Sequence, residues 1–309
     1  VVVDVPVVVV KGPVVAEACP DRILRAYNDL DLLVPAGRAE PLIAALLDAG
    51  YQSKVSGDRA THFPPLVPQG NGLRLEVHTA LDHRPDGGRI TFARWSARLQ
   101  PWDAHPGLWV PDPVDHAVYL VDHAVLRHEL LGGLQLLTDL HFWTADWTAA
   151  QWAACAARTR EIGLDRAVGL ALALTAWFWD DPLPDVVRRK FPAPPDDVLT
   201  RSQALALGAL PTFMPHVWRD LPADRPLQWI RYAVETFLGD PEYRRGLPLR
   251  DRIRFYLRRP FRLWQHYAPS LWRLLTGKQV ERGAWQAHRD VTAWLRGGSS
   301  SPPSPAERR

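Results

Sequence analysis

Residues 29–34 read Asp29-Leu30-Asp31-Leu32-Leu33-Val34, an alternation of acidic and apolar side chains that decides how the first third of the chain folds. A period of two places Asp29 and Asp31 on one face of a strand and Leu30 and Leu32 on the other. Upstream, Val7 to Val10 are four successive valines, the signature of a strand buried on both faces, ended by Lys11, Gly12 and Pro13. Residues 14–19 read as one or two helical turns before Pro20. Downstream, after turn residues at 35–37, leucines and alanines recur at helical spacing over 39–49 and stop at Gly50, a C-terminal cap. Two further strands are expected over 61–67 and 73–80, joined by a turn at 68–72. In the second, Leu73, Leu75 and Val77 share one face and Arg74, Glu76 and His78 the other. The first hundred or so residues therefore read as a small α/β sheet domain carrying three acidic residues on strands.

From about residue 114 the pattern changes to helical periods, over 114–131, 134–142, 148–162, 165–179 and 200–207, then 227–238, 249–257, 263–275 and 281–295. Residues 297–309, GGSSSPPSPAERR, have the composition of a flexible tail. The expected fold class is α/β (α+β): a sheet domain over 1–112, a mostly helical domain over 113–296, and a disordered tail.

Bulk composition narrows the classes. A chain of 309 residues with 47% hydrophobic content can bury a core. Its Lys+Arg count of 37 against 34 Asp+Glu leaves a net charge of +3, too small to announce a nucleic-acid binder. Cys19 and Cys155 lie far apart in apolar or small-residue surroundings, which argues against a disulfide framework and fits a reducing cytoplasm. The opening run VVVDVPVVVV lacks a basic leader and a cleavage site, so neither a signal peptide nor a membrane span is expected. The first residue is valine, so either residues precede it in the natural protein or translation starts at a valine codon.

The chemistry sits in the carboxylates. Two acids one residue apart on a strand project side by side and can share hard divalent cations through oxygen. Nucleotidyl transfer uses such a pair to hold metals about 3.5–4 Å apart, with a third carboxylate from a neighbouring strand. Glu76 is placed to be that third ligand. A bare D-x-D is common on exposed strands; here its company matters, because a strand ending in Lys11-Gly12 before a short helix matches a turn that approaches phosphates.

The run KGPVVAEACPDRILRAYNDLDLLV, the Gly50-Tyr51 after the next helix, His62, and LEVH at 75–78 together resemble the uncharacterised nucleotidyltransferase family of the DNA polymerase β superfamily. The resemblance covers roughly residues 7–141. It implies a magnesium (or manganese) site at Asp29, Asp31 and Glu76, with an NTP as substrate. It also implies nucleotide contacts from Lys11, Gly12 and Arg25, and possible substrate contacts from His78, His123, His128 and Asp139. Asn28 stands where the family usually has a small residue, Thr79 where tryptophan follows the histidine, and the Gly-Ser signature of better-known nucleotidyltransferases is absent. Plainer readings stand beside these: Glu76 paired with Arg74 or His78 on a solvated strand, Lys11 in a salt bridge to the carboxylates, Arg25 as a surface charge, and His123 as a hydrogen-bonded histidine. A zinc site from His116, His123 and His128 is set aside, because spacings of seven and five do not stack three residues on one α-helical face.

Residues 244–273 interleave arginine with Phe, Tyr and Trp, which suits either contact with an anionic surface or an amphipathic helix pair with snorkelling arginines. The expected function is metal-dependent transfer of an NMP group to a hydroxyl-bearing small molecule, peptide or protein. The resemblance associates such enzymes with bacterial exopolysaccharide and modified-peptide biosynthesis. A non-catalytic nucleotide sensor docking through its Arg-rich helices and a toxin-like enzyme modifying tRNA or protein are the alternatives.

Overall fold

The computed structural model describes residues 6–53, 63–70, 72–81, 90–130, 133–208, 250, 261 and 279–297. These group into two compact units, one built chiefly from Val1–Leu120 and Asp139–Arg158, the other from Val121–Thr138 and most of the chain beyond residue 158.

The first unit is organised around a mixed sheet of β1 (Val7–Val10), β2 (Asp29–Leu33), β3 (Tyr51–Ser53), β4 (Leu66–Pro68), β5 (Arg74–His78), β6 (Gln100–Pro101) and β7 (Leu108–Val110). Its strand order is β3-β4-β5-β2-β1-β7-β6. The valine strand takes an interior position because its four residues are all buried; β-branched side chains fit a sheet covered on both faces. It runs antiparallel to β2 and parallel to β7, while β2 runs parallel to β5. One face packs Val7, Val9, Leu32, Leu75 and Val77 against helix α2 (Ala39–Asp48) through Ala39 and Leu42. Helix α2 ends as expected, with Gly50 at φ 93. The other face carries the acidic residues.

Between β1 and β2 the chain makes α1 (Gly12–Ala16), with Pro13 in its first turn, and a single 3-10 turn over Arg22–Leu24. Gly12 is required by packing: a Cβ there would sit 2.7 Å from Cβ and 2.8 Å from Cγ of Tyr27. The strand expected over 61–67 is instead Leu66–Pro68, because Pro64 and Pro65 cannot donate to a ladder; residues 61 and 62 lie outside the described residues. Strands β3, β6 and β7, each two or three residues long, are too short to show a period in the sequence.

Among the described residues the remaining α-helices are α3 (Phe92–Trp95), α4 (Pro113–Val121), α5 (Gly133–Thr144), α6 (Ala149–Glu161), α7 (Asp165–Trp179), α8 (Asp185–Lys190), α9 (Asp196–Ala206) and α10 (Gln279–Leu295). The single helix expected over 114–131 is two structures. Helix α4 passes at Asp122 into a π-helical turn, Asp122–Arg127, which then ends on Glu129 and Leu130 at φ 50 and φ 65. The expected helices at 227–238, 249–257 and 263–275, the Arg-rich segment 244–273 apart from Arg250 and Phe261, and the tail beyond Gly297 lie outside the described residues.

Two glycine substitutions test the packing account. Gly12→Ala should destabilise by about 1–3 kcal/mol through overpacking against Tyr27, whereas Gly37→Ala, with nothing within 4 Å of the added carbon, should change stability by less than about 0.5 kcal/mol. Urea unfolding of both variants measures the difference.

Candidate active site

Strand registry builds the site. Asp31 pairs with Val10 on one side and Glu76 on the other, Asp29 lies opposite Arg74, and Leu33 opposite His78. Because alternate residues share a face, Asp29, Asp31, Glu76 and His78 come to one side of the sheet. The Asp31 side chain is only 3% exposed, with Lys11 Nζ 2.9 Å from Oδ2 and His78 Nε2 2.9 Å from Oδ1. A carboxylate only accepts, so Nε2 of His78 carries the proton and donates it. Burial pushes the Asp31 carboxyl up, but Lys11 and the hydrogen-bonded His78 outweigh it and hold Asp31 well below the usual carboxylate range. Asp31 is therefore an ionised, buried carboxylate.

Glu76 reaches the same place, with Oε2 3.9 Å from His78 Nε2. One ligand atom each from Asp31, Glu76 and His78 lies within 4.8 Å of the others, an arrangement suited to a cation once the His78 ring nitrogen gives up the proton it shares with Asp31. Asp29 is turned differently. Its carboxylate is 35% exposed and accepts from Arg74 Nη2 at 2.8 Å, and the same nitrogen lies 2.9 Å from Glu76 Oε1. The hydrogen bond to Asp29 raises the Arg74 pKa first, with Glu76 adding to it. Arg74 thus clamps the two outer carboxylates, a role the sequence offers only as a pairing for Glu76.

Lys11 is held through both its backbone and its side chain. It caps α1 at φ 59 and ψ −127, a region that favours glycine. Its backbone N–H donates to His116 Nε2 at 2.9 Å across 105 residues of sequence, and its ammonium lies 5.7 Å from the centre of the Tyr119 ring. His116 is fully buried and accepts, so it is neutral. Burial foremost, with the positive charges of Arg25 and Lys11, pushes its pKa down to about 3. Its ring meets Trp143 edge to face at 4.8 Å. No local sequence signal marks His116, because its partner is a backbone group brought by β1.

Arg25 and Asp139 form a separate buried pair, with Nε 2.7 Å from Oδ1; Arg25 Nη1 also donates to the Ala26 carbonyl. Burial raises the Asp139 carboxyl to about 6 despite the attraction of Arg25. Gly12 has its open side filled by Tyr27. In the second unit His123 and His128 face each other, Nε2 to Nε2 at 3.2 Å. Their spacing of five fits the π-helical turn, where the His128 N–H donates to the His123 carbonyl. The structure therefore gathers Lys11, Asp29, Asp31, Glu76 and His78, and leaves Arg25 with Asp139, and His123 with His128, as pairs of their own.

A family model described as "Uncharacterised nucleotidyltransferase" matches residues 3–180, more than half of the chain. The chain belongs to this nucleotidyltransferase family. The match extends past the expected end at residue 141 through α6 and α7. No curated protein and no solved structure matches the chain. Nucleotidyltransferases generally use divalent metals and an NTP, and the family's sheet domain here presents a donor set suited to a cation. Among the described residues no helix is long and apolar enough to cross a membrane.

The two displaced pKa values give opposite pH dependences. His116 titrates near 3 folded against an ordinary 6.5, so its contribution is present above pH 6.5 and is lost as pH falls towards 3. Asp139 titrates near 6 folded against 3.8, so its contribution is present below 3.8 and is lost as pH rises towards 6. Each is worth up to about 1.4 kcal/mol per pH unit. Relative to the parent, His116→Gln should lose less stability, and Asp139→Asn more, on going from pH 6 to pH 4; unfolding free energies across that range measure both slopes.

Proposed function

We propose that this chain transfers a nucleoside monophosphate from an NTP to a hydroxyl-bearing acceptor, a small molecule or a peptide or protein side chain. The observation that carries this reading is the ionised, buried Asp31 with Glu76 and His78 beside it, in a chain of a nucleotidyltransferase family. A divalent cation held there, Mg2+ or Mn2+, would supply charge neutralisation at the triphosphate and a lowered pKa at the acceptor hydroxyl. Asp31, nearly buried between Lys11 and His78, would anchor it. Glu76, 20% exposed, is the carboxylate placed to take the acceptor's proton. Asp29 joins the ligand set when Arg74 releases it, and Arg74 and Lys11 are the cations nearest the site to meet phosphate oxygens. Arg25 would reach a phosphate only by leaving Asp139; while paired it braces the segment that leads into β2. The compartment this reading implies is the cytoplasm, where NTPs are supplied and the reduced thiols of Cys19 and Cys155 are stable.

A second reading, a non-catalytic nucleotide sensor, is favoured by one observation: Asp29 and Glu76 share Arg74, and Asp31 is paired with Lys11, within the protein itself. Turnover separates the two. Incubation of α-labelled NTPs and Mg2+ or Mn2+ with cell extract should label an acceptor and release pyrophosphate, and Asp31→Asn should reduce this at least about a hundredfold, the upper end of what loss of a metal's outer-shell partner costs. Nucleotide binding without turnover on any acceptor pool would establish the sensor.

A further inference from the structure

The ammonium group of Lys11 stands where a metal ion would compete with it. It lies 2.9 Å from Asp31 Oδ2, and Asp31 is the one member of the donor set shared by the lysine, His78 and any cation held with Glu76. Two cationic groups within a few ångströms of one nearly buried carboxylate repel each other strongly. The lysine can nonetheless give way. Its backbone is fixed by the hydrogen bond to His116 and by its place at the start of α1, independently of its ammonium. Its side chain is 15% exposed, and rotation about its flexible four-carbon stem moves the ammonium while Cα stays in place.

We propose that Lys11 is the resident occupant of the cation site: it neutralises Asp31 until a divalent ion displaces it, and the displaced ammonium then meets the phosphates of the nucleotide. The inference rests on the cation-site reading above and adds a regulation of that site. Metal alone binds weakly because it must evict a bound charge. Metal and nucleotide bind cooperatively, because the nucleotide gives the evicted charge a partner. The metal-free protein is also protected from holding an uncompensated buried carboxylate. The strained Lys11 backbone is explained by the same role, since that conformation and the His116 bond keep the lysine stem poised over Asp31 rather than in water.

The test uses the full chain, Mn2+ as the probe ion, and α,β-methylene ATP, whose α–β bridge resists cleavage. Free Mn2+ is read by its electron paramagnetic resonance signal. The parent should bind Mn2+ weakly, and at least about fivefold more tightly once the nucleotide analogue is present. Lys11→Met should bind Mn2+ alone at least about fivefold more tightly than the parent and lose most of the nucleotide's enhancement, whereas Lys11→Arg, which keeps a cation, should stay weak. Metal-free Lys11→Met should melt below the parent, and saturating Mn2+ should raise its Tm by more than it raises the parent's. Where Lys11→Met does not fold without metal, Lys11→Gln, which retains a donor for Asp31, gives the same comparison. Equal or weaker Mn2+ binding by the lysine-free variants overturns the inference, as does a parent whose Mn2+ affinity ignores the nucleotide. Asp31→Asn separates the two levels. Unchanged Mn2+ binding in that variant removes the cation-site reading itself, while lost binding there with no tightening in Lys11→Met removes the lysine's role alone.

Discussion

The structure around the site depends on one buried charge. Asp31 sits in the middle of a strand between the valine strand β1 and β5, nearly buried, and it is ionised there because Lys11 and His78 each take one of its oxygens. A buried carboxylate stripped of such partners costs about 3–5 kcal/mol. That cost explains features that look unrelated: a lysine tolerating a glycine-like backbone, a neutral histidine from α4 accepting its N–H, and a histidine rather than an apolar residue at the buried end of β5. The surrounding elements are arranged to keep one negative charge out of water.

Charge is graded across the sheet face. Asp31 is held by a lysine and a histidine deep in the fold, while Asp29 and Glu76 share one arginine nearer solvent. Arg74 and Lys11 differ accordingly: one guanidinium nitrogen is shared by two carboxylates near solvent, whereas the lysine ammonium meets one carboxylate that is nearly buried. Acidic groups that would repel one another are thereby kept close together in the metal-free protein.

Much of this is legible in the sequence, for reasons of periodicity. Strands β1, β2 and β5 alternate or saturate so clearly that the facing of Asp29, Asp31, Glu76 and His78 follows from period two, and α2 and α7 follow from helical spacing with Gly50 or a turn at their ends. Short strands at 51–53, 100–101 and 108–110 show no period at all and exist through their neighbours. The π-helical turn at 122–127 reads as continuous helix because its sequence, Asp122 to Arg127, is compatible with either hydrogen-bond pattern. Which carboxylate is buried, and that Arg74 bridges the other two, requires the third dimension. So does His116, whose importance comes from a backbone group more than a hundred residues away in sequence.

That long-range bond bears on how the site comes into being. Asp31 meets Glu76 through β2 and β5, yet the lysine that neutralises it is fastened by an α4 residue that comes after every strand of the sheet. Contacts so distant in sequence close late, after their loop entropy has been met by other pairings. During synthesis the acidic strand therefore emerges well before the histidine that fastens the backbone of Lys11. The Lys11–Asp31 pair is thus secured only by an element that follows the whole sheet in sequence.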